Sequence, residues 1–237
     1  MIWRIKVSNP PVTIITPTTG KISLSKTLSS CGDQNVAYEH ILLWDDVRDT
    51  KDDPYLVAKS NQDEISGNGV DCTITSIVIQ GKMVKGKAAG SALRAIGLMA
   101  AKTPFVTFAD DDVWFEKDHL ASLLRVMDGK RWSYGKRKIW TKEGECLGVD
   151  DFESVGDSES RKVPYEMVDN NSMLFARKFG ASAACLYRET EGYDDDRLMY
   201  GFLKKYAGVP GKTNHATVHQ ICPDRLEGMF RKGCTRV

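Results

Sequence analysis

Pro104-Phe105-Val106-Thr107-Phe108-Ala109-Asp110-Asp111-Asp112 runs from a proline through aromatic and β-branched residues into three consecutive carboxylates. Residues of that first kind fit a pleated, buried surface, so the segment predicts a strand over 104–109 that ends at an acidic edge. At a reference pKa of about 4 all three aspartates ionise at neutral pH, and like charges this close repel. A hard divalent cation with oxygen preference, Mg²⁺ or Mn²⁺, relieves the repulsion and keeps positions open for water or phosphate. The plain alternative is a solvated acidic turn that caps the next helix.

Working outward, the same pattern recurs. Val12-Thr13-Ile14-Ile15-Thr16 is a β-branched run stopped by Pro17, then Thr18-Thr19-Gly20-Lys21 and a helical pattern with Leu24 and Leu28 on one face. His40 to Trp44 stops at Asp45-Asp46, and Thr73 to Ile79 stops at Gln80-Gly81. A loop punctuated by Gly81, Gly86 and Gly90 leads into 91–102, where Leu93, Ile96, Gly97, Met99 and Ala100 predict a helix packed closely on a sheet. A further amphipathic helix is expected over 117–127. Four strands separated by helical or loop connections imply βαβ units and a mainly parallel sheet covered on both faces, hence an α/β fold. Ligands in such sheets settle at the carboxyl ends of the strands. That singles out Thr16-Pro17-Thr18, Asp45-Asp46 and Asp110-Asp111-Asp112. The stretch 150–161, acidic and rich in small polar residues, reads as a loop or exposed hairpin.

Composition narrows the partners. The 237 residues are 41% hydrophobic and 27% charged, the profile of a globular domain, and a single domain over 1–237 is expected. Lys and Arg number 33 against 32 for Asp and Glu, so the net charge of +1 gives no whole-molecule attraction for nucleic acid or anionic membrane. The most apolar stretch, 92–108, is broken by Arg94, Lys102 and Pro104, so no integral membrane segment is expected. Met1-Ile2-Trp3-Arg4 does not open a signal peptide, and a cytoplasmic protein is the expectation. The six cysteines show no CxxC spacing and read as reduced structural thiols.

The pieces together resemble a family. Gly90-Ser91-Ala92-Leu93-Arg94-Ala95-Ile96-Gly97, then the strand with Asp110-Asp111-Asp112, then His119-Leu120, is similar to the donor-binding signature of glycosyltransferase family 2 with the GT-A fold. Val12 to Thr18 resembles its first strand and nucleotide-binding loop, and Leu42-Leu43-Trp44-Asp45-Asp46 its second strand. The resemblance covers about 12–127, leaving 128–237 as an acceptor-side half with a smaller β/α region. Ala95 stands where the family usually has Asn, and Val47-Arg48 where it has Gly-Ser.

The resemblance implies roles. Asp112 binds the metal, Asp110 contacts the ribose or shares the metal shell, and Asp111 lies between them. Asp46 accepts a hydrogen bond from a uracil-type base, Thr16, Pro17 and Thr18 line the base and ribose slot, and Arg94 reaches the base or diphosphate. Glu191-Gly192-Tyr193-Asp194-Asp195-Asp196 precedes an amphipathic helix and resembles the family's acceptor-side motif, where a carboxylate deprotonates the acceptor hydroxyl. Asp195 or Asp196 is that base. The helix dipole alone also favours acid residues there. His219 or His215 supplies a third metal ligand, imidazole suiting Mn²⁺ better than Mg²⁺. Trp132, Tyr134 and Trp140 form either a sugar shelf or core.

The expected activity is transfer of a sugar from a nucleotide-diphosphate sugar, UDP favoured, to a saccharide or other hydroxyl acceptor, with inversion. The alternatives are a sugar-phosphate nucleotidyltransferase, which a missing glycine-rich cradle before Lys21 disfavours, and a non-catalytic nucleotide-sugar-binding protein.

Overall fold

A central run of strands buried on both faces organises the chain. The computed structural model describes residues 11–45, 57, 60, 72–79, 89–159, 162–187 and 195–235. Strand β1 (Val12–Thr18) is buried at every position. It pairs in parallel with β2 (Tyr38–Asp45) on one side and β4 (Phe105–Phe108) on the other, and β3 (Cys72–Ile79) pairs in parallel with β2. A strand covered on both faces has no polar side to present, which is why β1 and β2 read as continuous β-branched and apolar runs. β3, at the edge, is buried only at Cys72 and is half-buried or exposed along the rest of its length. Pro17 does not end β1, which continues through it to Thr18 with Pro17 opposite Leu43.

Helix α1 (Leu24–Gly32) lays Leu24 and Leu28 on Leu42 and Trp44. Helix α2 (Ala89–Ala100) crosses the opposite face with Leu93 and Leu98 in the core. Its approach is close because of Gly97, where a Cβ would stand 2.4 Å from Ile15 Cγ2 and 3.0 Å from Leu43 Cδ1.

The sheet then changes character. After β4 come β5 (Val113–Phe115), α3 (His119–Arg125), β6 (Trp132–Trp140) and β7 (Cys146–Val149). These are followed by β8 (Met173–Ala176), α4 (Gly180–Ala184), α5 (Asp195–Tyr206), β9 (Gly211–Ile221) and α6 (Asp224–Gly233). The order across the sheet is β3-β2-β1-β4-β8-β6-β9-β5, with β7 attached to β6. The first four strands are parallel. Beyond them β8 runs antiparallel to both β4 and β6, β5 is antiparallel to β9, and β6 with β9 is parallel. One sheet thus runs through both halves of the chain. The switch of direction from β1 toward β2 and β4 opens a crevice at their carboxyl ends.

The acidic stretch after β7 forms an irregular loop, yet it is not the exposed hairpin its composition suggests. Asp150, Phe152, Ser154 and Val155 are buried. Arg137 supplies the reason: its guanidinium donates to Asp150 (2.9 Å), Asp169 (2.8 Å) and Glu153 (2.6 Å), neutralising the carboxylates as they leave water. Burial works against the Asp150 charge, but Arg137 and the backbone N–H groups of residues 152–154 outweigh it and hold its carboxyl below its ordinary value. Trp132 and Tyr134 are core residues rather than a shelf. None of the six cysteines forms a disulfide, and no described helix is long and apolar enough to cross a membrane.

Candidate active site

The crevice at the strand ends is a cleft of about 400 Å³. Pro17 and Thr18 at the end of β1, with Lys21 just beyond, form one side; Gly90, Ser91 and Arg94 on the first turns of α2 form another. Asp110, Asp111 and Asp112 follow β4 into it, and Asp195 and Asp196 enter from the start of α5. The sequence therefore brings to one place two acidic groups about eighty positions apart.

Each carboxylate has its own surroundings. Asp111 is buried; it accepts from Thr18 Oγ1 (2.9 Å) and from Lys21 Nζ (2.8 Å). Asp110 pairs with Arg94, accepts from Asn171 Nδ2 at 3.2 Å, and its backbone N–H donates to Asn171 Oδ1 at 2.7 Å. Asn171 is anchored in turn by Asp169, whose Oδ1 accepts from its side chain (2.8 Å) and backbone (2.9 Å). Asp112 is the open one: half of its side chain (48%) is exposed, and Lys21 stands 3.4 Å away. Burial and then the adjacent Asp110 charge push its carboxyl above the ordinary value in spite of Lys21. A group in that state gains from a further positive charge.

Across the cleft, Ser91 donates to Asp195, and Arg94 lies 3.7 Å from the same carboxylate. The other oxygen of Asp195 is buried and has no hydrogen-bond partner among the described residues, as have both side-chain polar atoms of Asn170. Asp196 accepts from the backbone N–H of Asn170 at 2.9 Å. Desolvation, then the charge of Asp169, push its carboxyl up to about 8, with Arg94 pulling the other way. An acid held this far above its solution value has the proton affinity a general base needs near neutral pH.

Several expected residues stand elsewhere. Thr16 does not face the cleft: it is fully buried and its Oγ1 lies 2.8 Å from His40 Nε2, linking β1 to β2. His219 does not reach the carboxylates either. Trp140 Nε1 donates to its Nδ1 (2.9 Å), its Nε2 lies 2.9 Å from Glu116, and its ring stacks on Trp114 at 5.1 Å. Both nitrogens are engaged and burial holds its pKa down, which fits a neutral structural ring. His215 is exposed on β9, its Nδ1 3.8 Å from Asp118. Neither histidine lines the cleft. Asp46 lies outside the described residues, as does the 191–194 segment before α5.

The structure also adds residues that sequence reasoning passed over: Lys21, Ser91, Asp169, Asn171 and Gln220 all take part in the cleft or its support. Asp169-Asn170-Asn171-Ser172, a polar run directly before the apolar β8, is a local signal for two of them, Asp169 and Asn171.

Comparison with protein-family models finds no match, and neither does comparison with curated proteins. Solved structures do match. Residues 1–349 of S. aureus TarS superpose with a TM-score of 0.63 at 16% identity, over 89% of this chain and 60% of that one. The same protein in complex with UDP-GlcNAc gives 0.61 at 16% identity over 90% and 59%. Its complex with UDP gives 0.59 at 15% identity over 92% and 62%. The fold is GT-A. At this identity the likeness concerns architecture, and the chain spans about 60% of the length of the TarS fragment it matches. In open α/β sheets ligands settle at the carboxyl ends of the strands, which is where the acidic residues gather here.

Proposed function

We propose that this chain is a glycosyltransferase that moves a sugar from a nucleotide diphosphate, UDP favoured, to a hydroxyl acceptor with inversion at the anomeric carbon. The observation that carries the reading is the convergence of Asp110–Asp112 and Asp195–Asp196 on one cleft, where burial raises the proton affinity of Asp196. The GT-A architecture, and complexes of TarS with UDP-GlcNAc and UDP, support a nucleotide-sugar donor.

In this reading Thr18 and Pro17 border the nucleoside, and Arg94, already partnered by Asp110, is placed to add a charge-assisted bond to the diphosphate. Asp112, half exposed and short of positive charge, is the carboxylate that would hold a divalent cation, with Asp110 beside it. Among the described residues no three His, Cys, Asp or Glu side chains form a complete metal cage. The donor set fits Mg²⁺ or Mn²⁺, which bind through one or two carboxylates plus phosphate and water. Bound there, such an ion supplies charge stabilisation for the departing diphosphate. Asp196 takes the proton of the acceptor hydroxyl as the oxygen attacks C1 and the C1–O bond to the diphosphate breaks. Asp195, held by Ser91 and Arg94, orients the acceptor with its unpartnered oxygen. A single displacement of this kind inverts the anomeric centre.

The test is transfer and hydrolysis of UDP-sugars with Mn²⁺, comparing wild type with Asp196→Asn. The reading expects UDP affinity within about twofold of wild type and transfer reduced by at least a hundredfold, within the range for loss of a general base. Normal turnover by the variant rejects Asp196 as base.

A further inference from the structure

A second cavity, about 350 Å³, lies behind the first. The two share Asp169, Asp196 and Gln220 as a partition, so the carboxylate assigned as base is reachable from both sides. The far walls differ in kind from the donor cleft. Ile139, Cys222 and Phe230 are buried apolar side chains, Met167 lines the cavity with them, and Leu226 and Met229 come from α6.

Its polar groups are largely spent on one another. Arg137 donates to Asp150, Glu153, Asp169 and Gln220, so its charge is matched before any ligand arrives. Tyr165 donates to Glu153 at 3.0 Å, and the Arg197 guanidinium lies over the Tyr165 ring at 4.7 Å. An anionic ligand entering here would meet Glu153 and Asp169 with the Arg137 cation already committed and the Arg197 guanidinium stacked on Tyr165. A neutral ligand with an apolar body meets no such penalty, and burying apolar surface favours it by about 25 cal/mol per Å². The volume lies within the range of small-molecule pockets, about 300–1,000 Å³.

We propose that this second cavity is the acceptor site, and that the acceptor carries its hydroxyl on a neutral, largely apolar body about the size of an aryl glycoside. The role as acceptor rests on the transferase reading above; the chemistry of the ligand rests on the cavity itself. The apolar body packs between α6 and the β6–β9 floor, and the hydroxyl points through the partition to Asp196.

Calorimetry with three probes tests it: phenyl β-D-glucoside, methyl β-D-glucoside and phenyl phosphate, each titrated with and without UDP and Mn²⁺. The phenyl glucoside should bind at least tenfold more tightly than either of the others. Met229→Trp, which fills the cavity, and Leu226→Asp, which makes its wall polar, should each weaken phenyl glucoside at least tenfold and leave UDP affinity within twofold. Equal binding of phenyl and methyl glucosides, tighter binding of phenyl phosphate, or indifference to both substitutions overturns the proposal, and the wild-type comparison stands even if a variant misfolds. UDP binding without glucoside binding defeats the acceptor proposal alone. Glucoside binding without UDP binding defeats the transferase reading and leaves the cavity's ligand class standing.

Discussion

Replacing Asp196 by Asn should change how the stability of this protein depends on pH. In the folded chain the Asp196 carboxyl is held well above its ordinary value, because burial and the Asp169 charge disfavour its ionised form. Unfolded, it titrates at about 3.9. Between those values the folded state holds a proton that the unfolded state has lost, so stability falls as pH rises. The contribution is fully present below the unfolded value and is gone once pH passes the folded one. The slope is at most about 1.4 kcal/mol per pH unit, so wild type should lose on the order of 3 kcal/mol relative to Asp196→Asn between pH 5 and pH 7. For a chain of this size that is roughly 5–10 °C in the difference between melting temperatures. Asn cannot titrate, but its Oδ1 still accepts from the Asn170 N–H, which isolates ionisation from the hydrogen bond. Urea unfolding at pH 5, 6, 7 and 8 gives the comparison directly. Curves for the two proteins that stay parallel within about 0.5 kcal/mol over pH 5–7 would mean Asp196 is an ordinary ionised carboxylate, and the case for it as base would collapse.

Three further outcomes are expected from the packing. Gly97→Ala should destabilise by about 1–3 kcal/mol, since the new methyl drives α2 away from Ile15 and Leu43; chemical denaturation measures it, and a neutral result denies the close helix–sheet approach. Arg137→Met should cost about 3–5 kcal/mol at pH 7 by stranding Asp150, Asp169 and Glu153. That loss should shrink as pH falls, because Arg137 holds the Asp150 carboxyl below its ordinary value and the variant lacks that hold, whereas a pH-independent loss would point to packing alone. Arg94→Gln should weaken UDP binding at least tenfold and lower stability by about 1–3 kcal/mol through the unpaired Asp110, and unchanged UDP affinity would remove Arg94 from the donor site.

The N-terminal half was legible because its central strands are covered on both faces. Such strands appear in sequence as unbroken β-branched runs, and the residues directly after each strand stand at the ligand-binding edge. That covering also hid Thr16: a strand buried on both sides has no polar face, so sequence alone does not say that its hydroxyl turns inward to His40. Asn171 escaped notice because its partner Asp110 is 61 residues away and leaves no periodic trace. The 150–159 loop looked too acidic to bury, and the single residue that makes burial possible, Arg137, sits in a strand where it reads as one of several surface cations. His219 alternates along β9 as a candidate ligand would, but Trp140 and Glu116 claim its nitrogens from two other segments.

Calorimetric titration of UDP into the protein with and without 1 equivalent or more of Mn²⁺, repeated with Asp112→Asn, addresses the acidic cleft itself. Wild type should bind UDP at least tenfold more tightly when manganese is present, and the variant should lose that enhancement while keeping its metal-free affinity. UDP heats indistinguishable from dilution, or a manganese enhancement that survives in Asp112→Asn, would contradict the account.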